Sequence, residues 1–166
     1  LPVEEQNMFD KGQLGRKTGG GFYRMKKLNN GDKKKEVFDL TTSLWRDSEK
    51  APIEGDLNLI LEDSVRGNYA WEVMGSTLSY AANLIPEIAD DIVNVDRAMR
   101  WGFAWSKGPF QILDELGPLN FINKCKERNI NTPTMLEVLL TSGFDKFYSS
   151  DNKYLTIEGE YKKIPK

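Results

Sequence analysis

The sequence predicts a mainly α fold, a helical bundle with small β-hairpins at its edges. Three observations carry this expectation. Between Asp56 and about Thr141, apolar residues recur at steps of three and four, the period of a helix with one buried face. Asn30-Gly31, the strongest short hairpin signal, stands between two runs of aromatic and β-branched residues. The tail "KYLTIEGEYKKIP" returns to strand–turn–strand character. With 166 residues, 39% hydrophobic and 29% charged, the chain has enough apolar matter for a core.

The elements follow in order. "VEEQNMFDK", residues 3–11, reads as a short helix ended by Gly12. "QLGRKTGGGFY" then sets three glycines between a basic pair and an aromatic pair. A phosphate-cradling loop needs N–H groups converging at a helix N-terminus, and the P-loop pattern needs Lys-Ser/Thr after its last glycine. Here Lys17-Thr18 precede all three glycines, which lead into Phe22, Tyr23 and a strand. A structural turn is therefore expected, with Arg16 and Lys17 solvated. "FYRMKKLNNGDKKKEVFDL" forms the hairpin, with Lys33, Lys34 and Lys35 at its solvated tip.

Past Pro52 the texture becomes helical. Asp56 is the expected N-cap of a long helix starting at Leu57. Val65, Tyr69, Val73, Leu78, Ala81, Ala82 and Ile85 form its expected apolar stripe, and Pro86 ends or kinks it. "EIADDIVNVDRAMRWG" is the next helix, with Ile88, Ile92, Val95 and Met99 on one face. Glu87, Asp90 and Asp91 favour its first turn, where acids suit the helix dipole, and Gly102 suits its C-cap. "SKGPFQILDELG" follows, with Pro109 at the first helical position, Phe110, Ile112, Leu113 and Leu116 pointing inward, and Gly117 closing it. "LNFINKCKERN" and "TPTMLEVLLTSG" supply two more short helices. Lys124, Lys126 and Arg128 read as a solvated face around a buried Cys125.

Composition narrows the chemistry. The chain has no histidine, which excludes Ser-His-Asp, Cys-His and His-carboxylate arrangements and His-ligated metal sites within these residues. Its single cysteine cannot form an internal disulfide, which fits a reducing, cytoplasmic setting. The net charge of −2 is mixed in sign and favours neither a nucleic-acid nor a membrane surface. No apolar run approaches the roughly 20 residues that span a bilayer. The start, "LPVEEQNMF", has no signal-peptide character and reads as a cut inside a longer protein.

The two halves also echo each other. "GGGFYRMK" leads into a hairpin, and "GFDKFYSS" leads into the strand-like tail, as in an internal repeat. "LGRKTGGGFY" resembles the closing motif of the C-terminal domain of 3-hydroxyacyl-CoA dehydrogenases, and "DRAMRWGFAWSKGPFQILDELG" resembles that domain's central signature. The closing motif comes first, so the chain resembles the end of one copy followed by a second copy. The expected division is residues 1–45 as the tail of the first copy, 46–55 as a linker, 56–158 as the second helical copy, and 159–166 as a linker to a following domain. The motif residues are Gly19, Gly21, Phe22 and Tyr23 in the first part, and Gly67, Asp96, Gly102, Gly108, Pro109, Phe110 and Asp114 in the second.

The resemblance implies a helical fold like the C-terminal domain of 6-phosphogluconate dehydrogenase. It implies NAD-dependent oxidation of a 3-hydroxyacyl-CoA in fatty-acid β-oxidation, as in multifunctional enzymes fused to an enoyl-CoA hydratase domain. The nicotinamide site and a His–Glu catalytic pair belong to a Rossmann domain outside these residues. No catalytic or cofactor-binding residue is therefore expected here, and the chain is expected to be inactive alone. The family's helical domain contributes a substrate-side asparagine in a G-x-x-x-N-R motif. An ungapped count back from Asp96 reaches "GNYAWE", where Gly67 keeps the glycine but Trp71 holds the asparagine position and Glu72 the arginine position; Asn68 lies three residues early. The second copy then reads as structural. Trp71, Trp101, Phe103 and Trp105 are read either as an apolar contact surface or as ordinary core. Arg16 and Lys17 are expected near the CoA phosphates. Two other readings stay open: a stand-alone helical interaction module, and an independent acyl-CoA binder.

Overall fold

The computed structural model describes residues 1–50 and 56–165, and the chain divides into two units, Leu1–Glu54 and Gly55–Lys166. In the first, helix α1 (Val3–Asp10) buries Met8 and is followed by a 3-10 turn, Arg16–Thr18. Strands β1 (Tyr23–Lys27), β2 (Lys33–Asp39) and β3 (Leu44–Asp47) form an antiparallel sheet in that order. The expected hairpin is present, with Gly31 at φ +88° in its loop. The third strand was not expected: Arg46 and Asp47 lie in β3 rather than in a linker beginning at 46, and residues 51–55 of that linker lie outside the described residues.

The alternation of β2 sorts its charges onto two faces. Glu36 is buried and paired with Arg24 at 2.6 Å and Lys26 at 3.5 Å. The Arg24 guanidinium bonded to Glu36 holds its carboxyl below the usual range. Arg24 also lies over the Trp45 ring, which meets Phe38 edge-on at 5.2 Å. Lys34 shares this face and pairs with Asp47.

The second unit is helical. Asp56 caps as expected, its Oδ1 accepting the Asn58 N–H at 2.8 Å, but the helix it starts is a 3-10 segment, Leu57–Leu61. A new start follows: Ser64 Oγ accepts the Gly67 N–H at 2.9 Å and opens α2 (Val65–Ala70). A π-helical turn, Trp71–Gly75, joins α2 to α3 (Ser76–Ala82). The expected stripe holds in its second half, where Leu78, Ala81, Ala82 and Ile85 are buried, and is corrected in its first. Val65 is 88% exposed, and Tyr69 and Val73 also face solvent. The buried face runs through Gly67, Trp71, Gly75, Leu78 and Ala82. Val65, Tyr69 and Val73 advance by four residues, as do Gly67, Trp71 and Gly75, but the buried series is carried partly by glycines, which give no hydrophobic signal.

Helix α4 (Ile92–Gly102) starts at Ile92, capped by Asp91 Oδ1 on the Asn94 N–H at 2.8 Å. Glu87, Ile88 and Asp90 precede it, with Ile88 exposed. Gly102 is the last residue of α4 rather than a left-handed cap; Ala104 takes the positive φ, at +56°. A Cβ at Gly102 meets nothing within 4 Å. Gly102→Ala is expected to stabilise this unit by about 0.5 kcal/mol through the unfolded chain's lost entropy, read as a higher urea midpoint.

Helices α5 (Pro109–Leu116), α6 (Pro118–Glu127) and α7 (Thr134–Ser142) complete the bundle, with the expected inward residues of α5 all buried. Trp71, Phe110, Phe121, Phe147, Leu113 and Met135 fill the core. Strands β4 (Lys153–Leu155) and β5 (Tyr161–Lys163) pair antiparallel, so residues 161–163 belong to a hairpin and not to a linker. The basic face of α6 is also corrected. Lys124 is buried and pairs with Asp63 at 3.4 Å and Glu127 at 3.3 Å, while Arg128 lies over Trp71 and pairs with Glu72 at 3.5 Å. Cys125 is buried as expected, and burial pushes its thiol pKa up.

Candidate functional site

Five of the seven motif residues of the second unit, Asp96, Gly108, Pro109, Phe110 and Asp114, converge on one junction. Asp96 projects from α4 to the start of α5, where Oδ1 accepts the Phe110 N–H at 2.8 Å and Oδ2 the Gln111 N–H at 3.2 Å. Gln111 Oε1 accepts the Gly108 N–H at 3.0 Å, but Gly108, the N-cap of α5, has no side chain to accept the N–H groups of Phe110 and Gln111. The carboxylate from α4 does that work across the gap. Gly108 permits the approach: a Cβ there would lie 2.3 Å from Asp96 Cβ and Cγ. Pro109 occupies the first helical position, where it has no N–H to satisfy.

Asp114, farther along α5, accepts the Phe147 N–H at 2.7 Å and the Tyr148 N–H at 2.9 Å. The Tyr148 hydroxyl returns to Asp96 Oδ2 at 2.9 Å, and Phe147 meets Phe110 edge-on at 5.0 Å. Two carboxylates thus tie α4, α5 and the strand-entry segment together. The motif resemblance sets both aspartates apart but does not disclose Tyr148 as their partner; the echoed Phe-Tyr pair is the available signal.

Burial pushes both carboxyls up to about 6, outweighing the N–H donors that favour their charged forms. Burial and the neighbouring Asp96 charge raise the Tyr148 phenol pKa. A raised carboxyl binds more protons folded than unfolded between about pH 4 and 6, so its contribution is greatest at low pH and falls as pH rises through that window. The stability gap between the wild type and Asp96→Asn is therefore expected to shrink from pH 4 to pH 7. Urea unfolding at both pH values checks it, and a gap that is constant or widens contradicts it.

The glycine turn spends its donors on itself. Gly15 and Gly20 exchange N–H···O bonds at 2.8 and 3.0 Å, the Gly19 N–H reaches Arg16 O at 3.3 Å, and the Gly21 N–H reaches Tyr23 O at 3.1 Å. Gly19 has φ +90°, and a Cβ at Gly21 would lie 2.9 Å from Gly15 Cα. The glycine N–H groups are thus spent within the turn and do not converge on a phosphate. Arg16 and Lys17 are exposed, and Arg16 lines a groove of about 670 Å³ with Tyr23, Met25, Lys33 and Lys35. Lys17 does not line it.

At the position of the family's asparagine, Trp71 is 1% exposed and stacks on Phe121 at 5.0 Å. Of its two readings, contact surface or core, the burial of Trp71 is that of core. Gly67 is buried, with a hypothetical Cβ 2.3 Å from Glu62 O. Asn68 is exposed and accepts from Arg128. Trp105 is half-buried against the core, while Trp101 and Phe103 are 76% and 72% exposed. Among the described residues no group of three or more His, Cys, Asp or Glu is placed to share a metal ion, and no helix is long and apolar enough to cross a membrane.

No protein-family model matches the chain, and no solved structure is a significant match. It is 30% identical over 177 aligned residues to a "Probable 3-hydroxyacyl-CoA dehydrogenase" of Bacillus subtilis (strain 168), covering 99% of this chain and 22% of that protein. It is 37% identical over 108 residues to a "Putative fatty acid oxidation complex trifunctional enzyme" of Rickettsia felis, and 32% identical over 108 residues to one of Rickettsia prowazekii, covering 64% of this chain and 15% of each. The chain thus spans between 15% and 22% of the length of these relatives. Over the aligned residues it is homologous to the 3-hydroxyacyl-CoA dehydrogenases and the fatty acid oxidation trifunctional enzymes, and it belongs to their family.

Proposed function

We propose that these residues are helical scaffold in an NAD-dependent 3-hydroxyacyl-CoA dehydrogenase of fatty-acid β-oxidation, and that they support assembly and closure over acyl-CoA without doing chemistry. One observation carries the reading: the polar groups of the matching motif are spent on structure. Asp96 and Asp114 each accept two backbone N–H groups, and the site of the substrate-side amide holds a buried indole. A catalytic group must keep a free lone pair or proton within reach of the reacting oxygen.

The nicotinamide site and catalytic pair then lie in other parts of the parent polypeptide, with a Rossmann domain, a first helical copy and, as the resemblance implies, a fused hydratase; two relatives are named trifunctional. The helical unit is read as the 6-phosphogluconate dehydrogenase C-terminal-like class. Arg16 and Lys17 are assigned to the approach of the CoA phosphates, and Trp101 and Phe103 to an apolar contact between helical units.

The test is turnover. With saturating NAD and a 3-hydroxyacyl-CoA, the 166-residue chain is expected to form no NADH above the blank. The full-length protein is expected to form it readily, with KM for acyl-CoA raised in the Arg16→Ala/Lys17→Ala double variant at low salt. Turnover by the short chain alone, or none by the full-length protein, would overturn the reading.

A further inference from the structure

The chain carries one small strand assembly twice. In the second unit, Phe147 O accepts the Leu155 N–H at 2.8 Å, Tyr148 bridges Tyr154, and Leu155 pairs with Tyr161. In the first, Phe22 O accepts the Phe38 N–H at 2.9 Å, Tyr23 pairs with Val37, and Phe38 pairs with Trp45. Phe22 corresponds to Phe147, Tyr23 to Tyr148, Phe38 to Leu155 and Trp45 to Tyr161. Antiparallel pairing alternates hydrogen-bonded and open positions, so in both assemblies the tyrosine N–H turns away from the neighbouring strand.

The surroundings differ. Phe147 is fully buried, its N–H and that of Tyr148 end on Asp114, and the Tyr148 hydroxyl ends on Asp96. In the first unit the same pair is open, with Phe22 47% and Tyr23 55% exposed. Among the described residues the Phe22 N–H has no hydrogen-bond partner. The adjoining groove has Arg16, Lys33 and Lys35 in its lining and no acidic residue. None of these three cations forms an ion pair among the described residues, in a chain whose net charge is −2.

We propose that Phe22 and Tyr23 seat on a second helical platform of the α4–α5 kind within the parent polypeptide. That platform offers one carboxylate to the N–H groups of Phe22 and Tyr23, and another to the Tyr23 hydroxyl. It is not this chain's own α4–α5 pair, whose carboxylates are already taken by Phe147 and Tyr148. The inference rests on the reading that the parent holds a further helical copy, and adds which groups of this chain meet it and what chemistry they require. An acidic seat also matches Lys33 and Lys35, the second of which lies over the Tyr23 ring at 4.4 Å.

Amide hydrogen exchange tests it in the full-length protein against the 166-residue chain. The Phe22 and Tyr23 amides are expected to exchange about 100-fold more slowly in the full-length protein, while the Phe147 and Tyr148 amides are slow in both. Tyr23→Phe, which removes only the hydroxyl, is expected to lose about tenfold of that protection. A photo-crosslinking residue in place of Phe22 is expected to capture a helix with a paired aspartate outside these 166 residues but in the same polypeptide. Equal exchange in both proteins, capture within residues 92–127, or capture of another polypeptide overturns the proposal. Protected amides in a full-length protein without dehydrogenase activity sink the functional reading and leave the seat standing; activity with unprotected amides does the reverse.

Discussion

Gly108→Ala is expected to cost the helical unit at least about 3 kcal/mol, a large share of an ordinary domain's stability. The cause is contact and not backbone strain, because Gly108 has φ −78°, which any residue adopts. The new methyl would lie 2.3 Å from Asp96 Cβ and Cγ and 2.5 Å from its Cα. Since the obstacle includes backbone, no rotamer change relieves it, and α4 and the start of α5 must separate. Separation breaks the two N–H bonds to Asp96 and strands its carboxylate, and each group left buried without a partner adds about 1–3 kcal/mol. Urea unfolding followed by helical circular dichroism measures the loss. Gly102→Ala, where a Cβ meets nothing within 4 Å, is the matched control with the opposite sign. A Gly108→Ala protein within about 1 kcal/mol of wild type would show that α4 and α5 do not meet this closely.

That junction shows what the sequence could and could not disclose. Proline at a first helical position and the 3.6-residue spacing of α5 are local signals, so α5 and its inward face were legible. The motif resemblance set Asp96, Gly108 and Asp114 apart as a group. What Asp96 holds was not legible, because its partners lie 14 and 52 residues away and only folding brings them together. The face of α2–α3 failed for a different reason. Glycine is silent on any hydropathy scale, yet Gly67 and Gly75 lie on the buried side because Glu62 and Trp71 press against them. The exposed Val65 and Tyr69 spoke louder and pointed the wrong way. Strand β3 escaped notice because its four residues hold no turn signal of their own and depend on pairing with β2.

Trp71→Ala is expected to cost about 3–5 kcal/mol, the range for emptying a large aromatic site in a core. The indole stacks on Phe121 and lies against Gly75, where a Cβ would approach the ring to 2.6 Å. Truncation therefore leaves a void between α6 and the π-helical turn that neither side can close without moving backbone. Trp71→Asn carries a sharper expectation, because it places the amide of the family's substrate-side motif at this position. The amide would fill part of the void but bring polar atoms into a site walled by Phe121 and the apolar core, and burying them unpaired adds about 1–3 kcal/mol. Trp71→Asn should then be at least as unstable as Trp71→Ala, whereas Trp101→Ser, at an exposed site, should stay within about 0.5 kcal/mol of wild type. Thermal and urea unfolding of the three variants rank them. If Trp71→Asn is as stable as the wild type, the site tolerates a polar group after all, and the proposed purely structural role of this unit loses its support.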